Sequence, residues 1–398
     1  SSLVGSEMCI RDRLYSGVIP VEKIKILHCA DIHIGAAESF LNTLAESRRA
    51  ETLVTFERII DKASENNVRV IAIAGDLFDS NSIESSFIEP VFKKIASVPD
   101  IKVIYAAGNH DPLNSGSPFL KYELPKNLYV LGIKDSVIAF DDLQLRVYGR
   151  SFESVCLYGE ERFTITPQDD GYINLMVLHG EVKSDLNSEY NAVTQDFIKN
   201  SKMDYIALGH IHKRTEILKA GDTYYSYCGC PEGQGFDECG EKGVYIGNIG
   251  KGICELEFTA VAKRLHIRES VDISNCETPA AAADTVLSAI KLKYGEGFAD
   301  NLYRIELTGN SPAEKAVNLS EITARLSDRL YFVKLKDRTE PFTDINTLAN
   351  EISLKGIFAK KMLESLNGAD EEQINTVKEA LKLGLKAFIS EVEFNEDR

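Results

Sequence analysis

The amino-acid sequence predicts an α/β protein: a sandwich of two mixed β-sheets, followed by a small α/β unit and a helical C-terminal segment. Short apolar, β-branched runs recur along the chain, and helical patterns separate the first three. Near-continuously apolar strands that alternate with helices are typical of buried parallel sheet. Residues 127–148 and 214–258 instead read as hairpin-like strands. The runs are IKILH (24–28), VRVIAIA (68–74), IKVIYAA (101–107), INLMVLH (173–179) and DYIALGH (204–210).

The helical patterns place apolar residues on one face at spacings of three and four. The two helices between the first three strands carry Leu53, Phe56, Ile60 and Ala63, and then Phe87, Val91 and Ile95. Residues 264–335 read as strand, helix (279–293), strand (302–308), helix (319–328) and strand (330–335). The last helical stripe suits packing on its own domain or docking on a partner. It consists of Ile374, Val377, Leu381, Leu385, Phe388 and Val392.

Length and composition describe a globular protein. The chain has 398 residues, 44% of them hydrophobic and 27% charged, and no apolar run approaches the length of a membrane span. Its formal net charge of −16 argues against broad, non-specific wrapping of a nucleic-acid duplex. The opening SSLVGSEMCIRDR has no signal-peptide character, and residues 1–13 resemble a translated adaptor or cloning scar.

Eight cysteines are scattered along the chain, which favours reduced thiols and a cytoplasmic location. A zinc knuckle is the alternative for four of them. Their spacing, C-x-C-x8-C-x14-C, lacks the paired C-x2-C of a structural zinc site, so thiols packed in the core are the expected state. The four are Cys228, Cys230, Cys239 and Cys254.

Histidines carry the clearest functional signal. Six of the seven lie at or just after the ends of predicted core strands, together with carboxylates. Residues two apart on an extended chain project to the same side, so the members of D-x-H (31–33) and H-x-H (210–212) can each converge on one ion. The candidate ligands are Asp31, His33, Asp76, Asn109, His179, His210 and His212.

This mixed nitrogen and oxygen set suits Mn, Fe or Zn, and seven side chains are enough for two ions. Two neighbouring metal ions are an arrangement for phosphoester hydrolysis. His110 then remains beside the metals as a group that can protonate the leaving alkoxide. Asp111 is expected to orient it, and Asp79 supports the site or caps a helix.

Five motifs, DIHIG, GDLFD, GNHD, VLHG and GHIH in that order, resemble the signatures of the calcineurin-like metallophosphoesterases over about residues 24–215. DYIALGHIH followed by YCGCPEGQGFDECGEKGVY (227–245) resembles the SbcD-type, YhaO-like branch of DNA exonuclease subunits. The resemblance implies a four-layer αββα metallophosphoesterase sandwich over 24–260, an α/β capping domain over 261–340 and a helical C-terminal region over 341–398.

The resemblance also implies roles and partners. One metal would be held by Asp31, His33, Asp76 and His212, and the second by Asp76, Asn109, His179 and His210, with two Mn²⁺ ions as the expected cofactors. His110 would be catalytic without binding metal. DNA would be the substrate, an SbcC-type coiled-coil ATPase would bind through 341–398, and a homodimer is possible. Related proteins often have a histidine in place of Asp79, so that histidine's role is not transferred.

Three functions fit the sequence. The leading one is a two-metal DNA nuclease, with exonuclease or endonuclease character open. A phosphatase or small-molecule phosphodiesterase, acting for example on cyclic nucleotides, fits the same metal site and the acidic charge. A DNA-tethering subunit with vestigial catalysis is the third, and the complete ligand set argues against it.

Overall fold

A computed structural model describes residues 23–158, 166–168, 170–185, 187–312, 317–342, 345–367 and 370–388. The predicted adaptor segment 1–13 and Val392 lie outside them. The chain divides into two compact units. Unit 1 comprises Ser1–Ile34, Phe56–Cys230 and Val244–Thr259, and unit 2 comprises Gly35–Thr55, Pro231–Gly243 and Ala260–Arg398. The domain boundaries proposed from the sequence stay predictions, because unit 2 takes two segments from within residues 24–260.

Unit 1 contains two large sheets. The first has the order β14-β13-β1-β2-β3-β4, with β1 to β4 parallel and β13 antiparallel to β1. Its strands are β1 (Lys23–Cys29), β2 (Val70–Ile73), β3 (Lys102–Tyr105), β4 (Leu128–Val130), β13 (Gly243–Gly250) and β14 (Ile253–Ala260). This sheet is the predicted strand–helix–strand part of the chain, closed on one side by the predicted hairpin after residue 240.

The second sheet has the order β11-β12-β10-β7-β6-β5. Strands β6, β7, β10 and β12 run parallel, and β5 and β11 pair antiparallel at the two edges. Its strands are β5 (Ser136–Phe140), β6 (Leu145–Gly149), β7 (Ile173–His179), β10 (Tyr205–Gly209), β11 (Leu218–Ala220) and β12 (Thr223–Tyr227). A short separate pair is formed by β8 (Val182–Lys183) and β9 (Val193–Thr194).

The two sheets share one apolar core. Alternate residues of each strand, such as Ile26 in β1 and Val177 in β7, contribute to it. The intervening residues of β7, Met176 and Leu178, face a second cluster that includes Ile198 of helix α4 (Gln195–Asn200). Strands that bury both faces give the continuous apolar runs seen in the sequence.

Helices cover the outer side of the first sheet. Helix α2 (Ser85–Ala96) and helix α3 (Pro118–Lys121) join it through the rings of Phe92, Phe119 and Tyr105. In helix α1 (Ala45–Glu65), which passes from unit 2 into unit 1 at Phe56, the predicted face is half-buried at Leu53 and fully buried at Phe56, Ile60 and Ala63. The predicted fold class, an α/β sandwich of two mixed sheets, is confirmed.

Unit 2 is built on a parallel sheet of three strands: β15 (His266–Asp272), β16 (Leu302–Thr308) and β18 (Phe332–Asp337). Helices α5 (Pro279–Tyr294) and α6 (Leu319–Ser327) pack on it through one apolar cluster. A further strand pair is formed by β17 (Asn310–Pro312) and β19 (Glu340–Phe342). The strands and helices predicted over 264–335 therefore form, with boundaries shifted by one or two residues.

Charged side chains are also buried in unit 2. Arg48 is 1% exposed and donates to the carboxylates of Glu38 (2.8 Å) and Glu51 (3.1 Å), and its third nitrogen lies 2.8 Å from Glu232. Glu51 also accepts from Lys263 and Arg264 at 2.8–3.1 Å. These ion pairs join the segments 35–55 and 231–243 to the residues that precede β15.

The C-terminal region contains α7 (Ile345–Leu348), α8 (Leu354–Glu364) and α9 (Glu371–Ala387). Leu381 and Leu385, from the predicted stripe, are buried with Leu348 and Ala359 in a small cluster of their own. Helix α9 therefore packs within unit 2, as the simpler interpretation of its stripe expected. No helix in the described residues combines the length and apolar character that crossing a membrane requires.

Candidate metal centre

The predicted ligands meet at one edge of unit 1. Asp31 and His33 follow β1, Asp76 follows β2, and Asn109 follows β3. His179 ends β7, while His210 and His212 follow β10. All five strands are parallel members of their sheets, and their carboxyl ends are where ligand sites form in α/β proteins.

The backbone is strained at four of these residues. Asp31, His33, Asp76 and His210 have positive φ angles of 52°, 48°, 50° and 94°. Left-handed backbone is unfavourable for residues other than glycine, and aspartate and histidine tolerate it better than branched or bulky residues do. Strain of this kind clusters where side chains must be aimed at a ligand.

Two glycines leave room for the ligands. A Cβ on Gly75, whose φ is +94°, would lie 2.2 Å from Nδ1 of His179. A Cβ on Gly108 would lie 2.1 Å from Oδ1 of Asp76. The glycine in GD and GN is therefore required because a neighbouring ligand occupies the space of a side chain.

In three of the histidines, a contact from outside the centre determines which ring nitrogen points into it. Nδ1 of His179 lies 2.9 Å from the carbonyl oxygen of Ala74, so it carries the hydrogen and Nε2 is free to bind metal. In His33, Nδ1 lies 3.3 Å from the carboxylate of Asp79, and Nε2 points inward. In His210 the order is reversed, because Nε2 lies 3.6 Å from Glu181 and Nδ1 points inward.

The inward atoms lie as close together as ligands of a common ion. Nε2 of His33 is 3.2 Å from Nε2 of His212. Oδ1 of Asn109 is 2.9 Å from Nε2 of His179 and 3.2 Å from Nδ1 of His210. Nitrogen and oxygen ligands at about 2.0–2.2 Å from an ion are separated by about this much. Asp31, His33 and His212, and likewise Asp31, Asp76 and His179, offer donor atoms within 4.8 Å of one another.

The charge of the centre also calls for a cation. Burial alone would lower the pKa of His179, yet Asp76 at 3.3 Å and Asp31 at 3.8 Å raise it to about 9. Burial raises the pKa of Asp31. Asp31 and Asp76 form ion pairs only with histidines in the described residues. Two buried carboxylates without a lysine or arginine therefore favour a bound metal cation, and the residues present fit one.

His110 lies at the exposed side of the centre. Its Nδ1 is 3.1 Å from the carbonyl oxygen of Asp79, and its ring meets the ring of His33 edge-on at 4.6 Å. Its backbone N–H donates to Oδ1 of Asp76 at 2.9 Å. His110 is thus placed by a ligand residue, with the other side of its ring toward solvent.

Asp111 holds the loop of His110 instead of its ring. Its carboxylate is fully buried and accepts from the backbone N–H of Phe78 (2.9 Å) and of Gly108 (3.1 Å). Burial and then Asp76 raise its pKa to about 6. The contact that sequence reasoning expected between Asp111 and the imidazole of His110 is instead made by the carbonyl of Asp79, because Asp111 points back into the loop.

Sequence reasoning missed three residues around His179 and His210. Glu181 faces its Nε2, Tyr190 stacks on its ring at 4.6 Å, and Asn191 donates to the carbonyl oxygen of His179 at 2.8 Å. All three come from the segment after β7, which has no motif of its own. The only signal available was their nearness in sequence to His179.

One of the six histidines at the strand ends is excluded from the centre. His28 is buried, with Nδ1 2.8 Å from the hydroxyl of Tyr205 and Nε2 3.2 Å from the carbonyl oxygen of Leu208. Burial lowers its pKa to about 3, so it is a neutral core residue. The cysteines of the described residues are free thiols, and Cys228 and Cys230 are buried.

The fold and the candidate centre fit a metallophosphoesterase. The sequence profile of the family described as calcineurin-like phosphoesterase matches residues 24–214, so this part of the chain is a calcineurin-like phosphoesterase domain. The resemblance seen in the five motifs is confirmed, and proteins of this family bind divalent metal ions.

Individual proteins with similar sequences show which kinds of metallophosphoesterase this chain resembles. The chain is 27% identical over 301 residues to the uncharacterized metallophosphoesterase YhaO of Bacillus subtilis, covering 73% of this chain and 72% of that protein. It is 24% identical over 262 residues to the DNA double-strand break repair protein Mre11 of Methanopyrus kandleri, covering 60% and 57%. It is 25% identical over 283 residues to the SbcD subunit of the nuclease SbcCD of Escherichia coli K12, covering 58% and 66%. The matches therefore span about 57% to 72% of these relatives.

Proposed function

We propose that this protein is a two-metal-dependent DNA nuclease, an exonuclease or endonuclease of DNA repair. The observation that carries the proposal is the convergence of seven candidate metal ligands at the carboxyl ends of strands from both sheets, with His110 beside them. Similarity to proteins named as a nuclease subunit and as a DNA repair protein supports DNA as the substrate.

Asp31, His33, Asp76 and His212 would hold one ion, and Asp76, Asn109, His179 and His210 the second. Mn²⁺ is proposed for both, with Fe or Zn as alternatives that the same donor set accommodates. When bound, such ions supply Lewis-acid charge for the phosphoryl oxygens and lower the pKa of water. Asp76 would contribute to both sites, because its Oδ2 faces His33 of the first set and His179 of the second, while its Oδ1 accepts from the backbone N–H of His110.

His110 would donate a proton to the leaving alkoxide. The carbonyl of Asp79 accepts from Nδ1–H, so Nε2–H of the protonated ring is left for the substrate. The carboxylate of Asp79 lies 3.9 Å from the same Nδ1. Asp111 would act indirectly, by fixing the loop on which Asn109 and His110 lie.

A phosphatase or a small-molecule phosphodiesterase is the second candidate, and the net charge of −16 favours it. The test is hydrolysis by the purified protein with Mn²⁺ of linear DNA, bis-p-nitrophenyl phosphate and p-nitrophenyl phosphate. The nuclease proposal expects turnover of both diesters. Turnover of the monoester alone would show a phosphatase.

A tethering protein with vestigial catalysis is tested by His110→Gln in the same assay. The substitution removes the proton donor and should lower DNA cleavage by about 10²–10⁴-fold while bound metal is retained. Equal cleavage by wild type and variant would show that His110 is not catalytic. Absence of metal-dependent cleavage in the wild type would support tethering.

An SbcC-type ATPase is proposed to bind through residues 341–398. Near the start of α8, Ile352, Leu354 and Ile357 expose large apolar side chains, with 107%, 71% and 57% of their surface accessible. Buried Leu381 and Leu385 are already used within the unit, so the exposed residues are the better docking surface. Leu354→Asp with Ile357→Asp should abolish co-purification of the ATPase, and unchanged co-purification would refute this surface.

A homodimer and a cytoplasmic location complete the proposal. None of the seven cysteines of the described residues is in a disulfide, which is compatible with a reducing compartment. Light scattering on the purified chain would measure the oligomeric state, and a mass equal to that of one chain would refute the dimer.

A further inference from the structure

One face of the three-stranded sheet in unit 2 carries a row of cations. Helices α5 and α6 pack against the face that presents Ile267, Tyr303 and Val333. The next residue of each strand projects to the opposite face. These residues are Arg268, Arg304 and Lys334. They are direct neighbours across the strands, because Arg268 lies opposite Arg304 and Arg304 lies opposite Lys334 in the strand register.

The other end of this face is covered by aromatic rings. Phe40 and Phe236 lie 5.8 Å and 6.3 Å from the ring of Phe332. The cationic row follows immediately along the strands, and Arg268 and Lys334 are exposed. The row is therefore an accessible part of a sheet face that α5 and α6 do not cover.

Like charges directly opposite each other destabilise neighbouring strands. Ordinary solvated surfaces relieve this with nearby carboxylates, and this chain has 61 acidic residues against 45 basic ones. Even so, none of the ion pairs in the described residues involves a member of the row. Arg268 lies near the thiol of Cys239, which does not neutralise its charge, and Glu306 in the next outward row pairs with Arg338 at 3.8 Å. Three adjacent cations in an acidic protein thus lack a carboxylate partner among the described residues.

We propose that Arg268, Arg304 and Lys334 bind the sugar–phosphate backbone of duplex DNA. This inference rests on the proposed nuclease function and adds where the duplex is held. With strands about 4.8 Å apart, the row extends over ~10 Å. Three successive phosphates of one DNA strand span about 7 Å along the axis, in two steps of about 3.4 Å, which is within reach of the long side chains of the row. A polyanion would supply the charge that the row lacks, and such contacts fix the position of a duplex without reading its sequence.

The experiment measures binding of a fluorescent DNA duplex to the metal-free full-length protein over a range of salt concentrations. The triple variant Arg268→Gln, Arg304→Gln, Lys334→Gln should lower the slope of log K against log salt by about 2 to 3, since each phosphate contact contributes about 0.9. The matched control is Lys291→Gln, Arg325→Gln, Arg329→Gln, which makes the same charge change on the exposed surfaces of α5 and α6 and just after them. Its slope should equal that of wild type.

A charge-keeping variant separates electrostatics from folding. Arg268→Lys with Arg304→Lys should retain the wild-type slope, and loss of slope in it would show that the row is structural. An unchanged slope in the triple variant, or an equal drop in the control, would overturn the inference. So would failure of wild type to bind the duplex. Failure of wild type to cleave a duplex that it binds, once Mn²⁺ is added, would instead overturn only the nuclease proposal.

Discussion

Both units bury carboxylates and histidine, but they balance the charge differently. In unit 2, Glu38, Glu51 and Glu232 surround Arg48, and Lys263 and Arg264 add two further positive charges. In unit 1, Asp31 and Asp76 have only histidines as ionic partners in the described residues. This difference in charge balance distinguishes a structural cluster from a metal centre. A cluster with permanent side-chain cations is complete, whereas one made of carboxylates and imidazoles can accept an added cation.

The largest expected effect is from Asp76→Asn. Loss of the carboxylate that faces both proposed ions should remove bound metal and lower bis-p-nitrophenyl phosphate turnover by about 10³-fold or more. Metal content by mass spectrometry and turnover are the two measurements. The counterpart in unit 2, Glu38→Gln, should keep its bound metal and its turnover of bis-p-nitrophenyl phosphate. Full metal occupancy in Asp76→Asn would show that this carboxylate is not needed to hold metal.

Arg48→Met should give the next largest effect, and on stability. Removing the central cation leaves buried carboxylates facing one another, which costs about 3–5 kcal/mol in the free energy of unfolding. Urea denaturation measures it. As a control, Arg325→Met breaks the exposed pair with Glu321 and should cost about 0.5 kcal/mol or less. Equal midpoints for the two variants would show that the buried network is not structural.

Glu181→Gln should have a moderate effect confined to the metal centre. Glu181 faces the outer nitrogen of His210, and removal of such an orienting partner typically lowers metal affinity by about 10–100-fold. Competition with a chelator measures the affinity. Glu189→Gln makes the same change in the same segment, where the carboxylate contacts Cys156 and Tyr158, and should leave affinity unaltered. If both variants bind metal alike, Glu181 does not orient His210.

The smallest expected effect is a pH dependence of stability from unit 2. Burial opposes ionisation of Glu51, but hydrogen bonds from Arg264 and Lys263 hold its pKa at about 2, below the ordinary 4.5. A lowered pKa in the folded state means stability that is complete above about pH 4.5 and lost as pH falls toward 2. The urea concentration at the midpoint of unfolding should therefore decrease as the pH is lowered from 5 to 3, and it should decrease less in Glu51→Gln. Parallel curves would contradict this contribution.

The sequence predicted which candidate ligands the fold brings together, but it did not predict how the chain divides into units. Parallel strands bring their carboxyl ends together, so polar residues after apolar runs, such as Asp31 and Asp76, could be grouped without a structure. Arg48 could not be placed, because in sequence it is one more charged residue of an amphipathic helix. Its burial depends on Glu232, which lies 184 positions away in sequence. Contacts of Asp111 and Glu181 escaped prediction because side-chain direction depends on loop conformation.

The lack of space at Gly75 and Gly108 limits how this enzyme could be redesigned. Even a methyl group at either position would overlap a ligand atom, so libraries that vary these glycines will contain mostly inactive proteins. Glu181, Tyr190 and Asp79 contact histidines of the centre from outside, and Glu181 and Asp79 are partly exposed. Selection for a different metal preference should therefore enrich substitutions at these outer residues while the ligands and their glycines stay fixed.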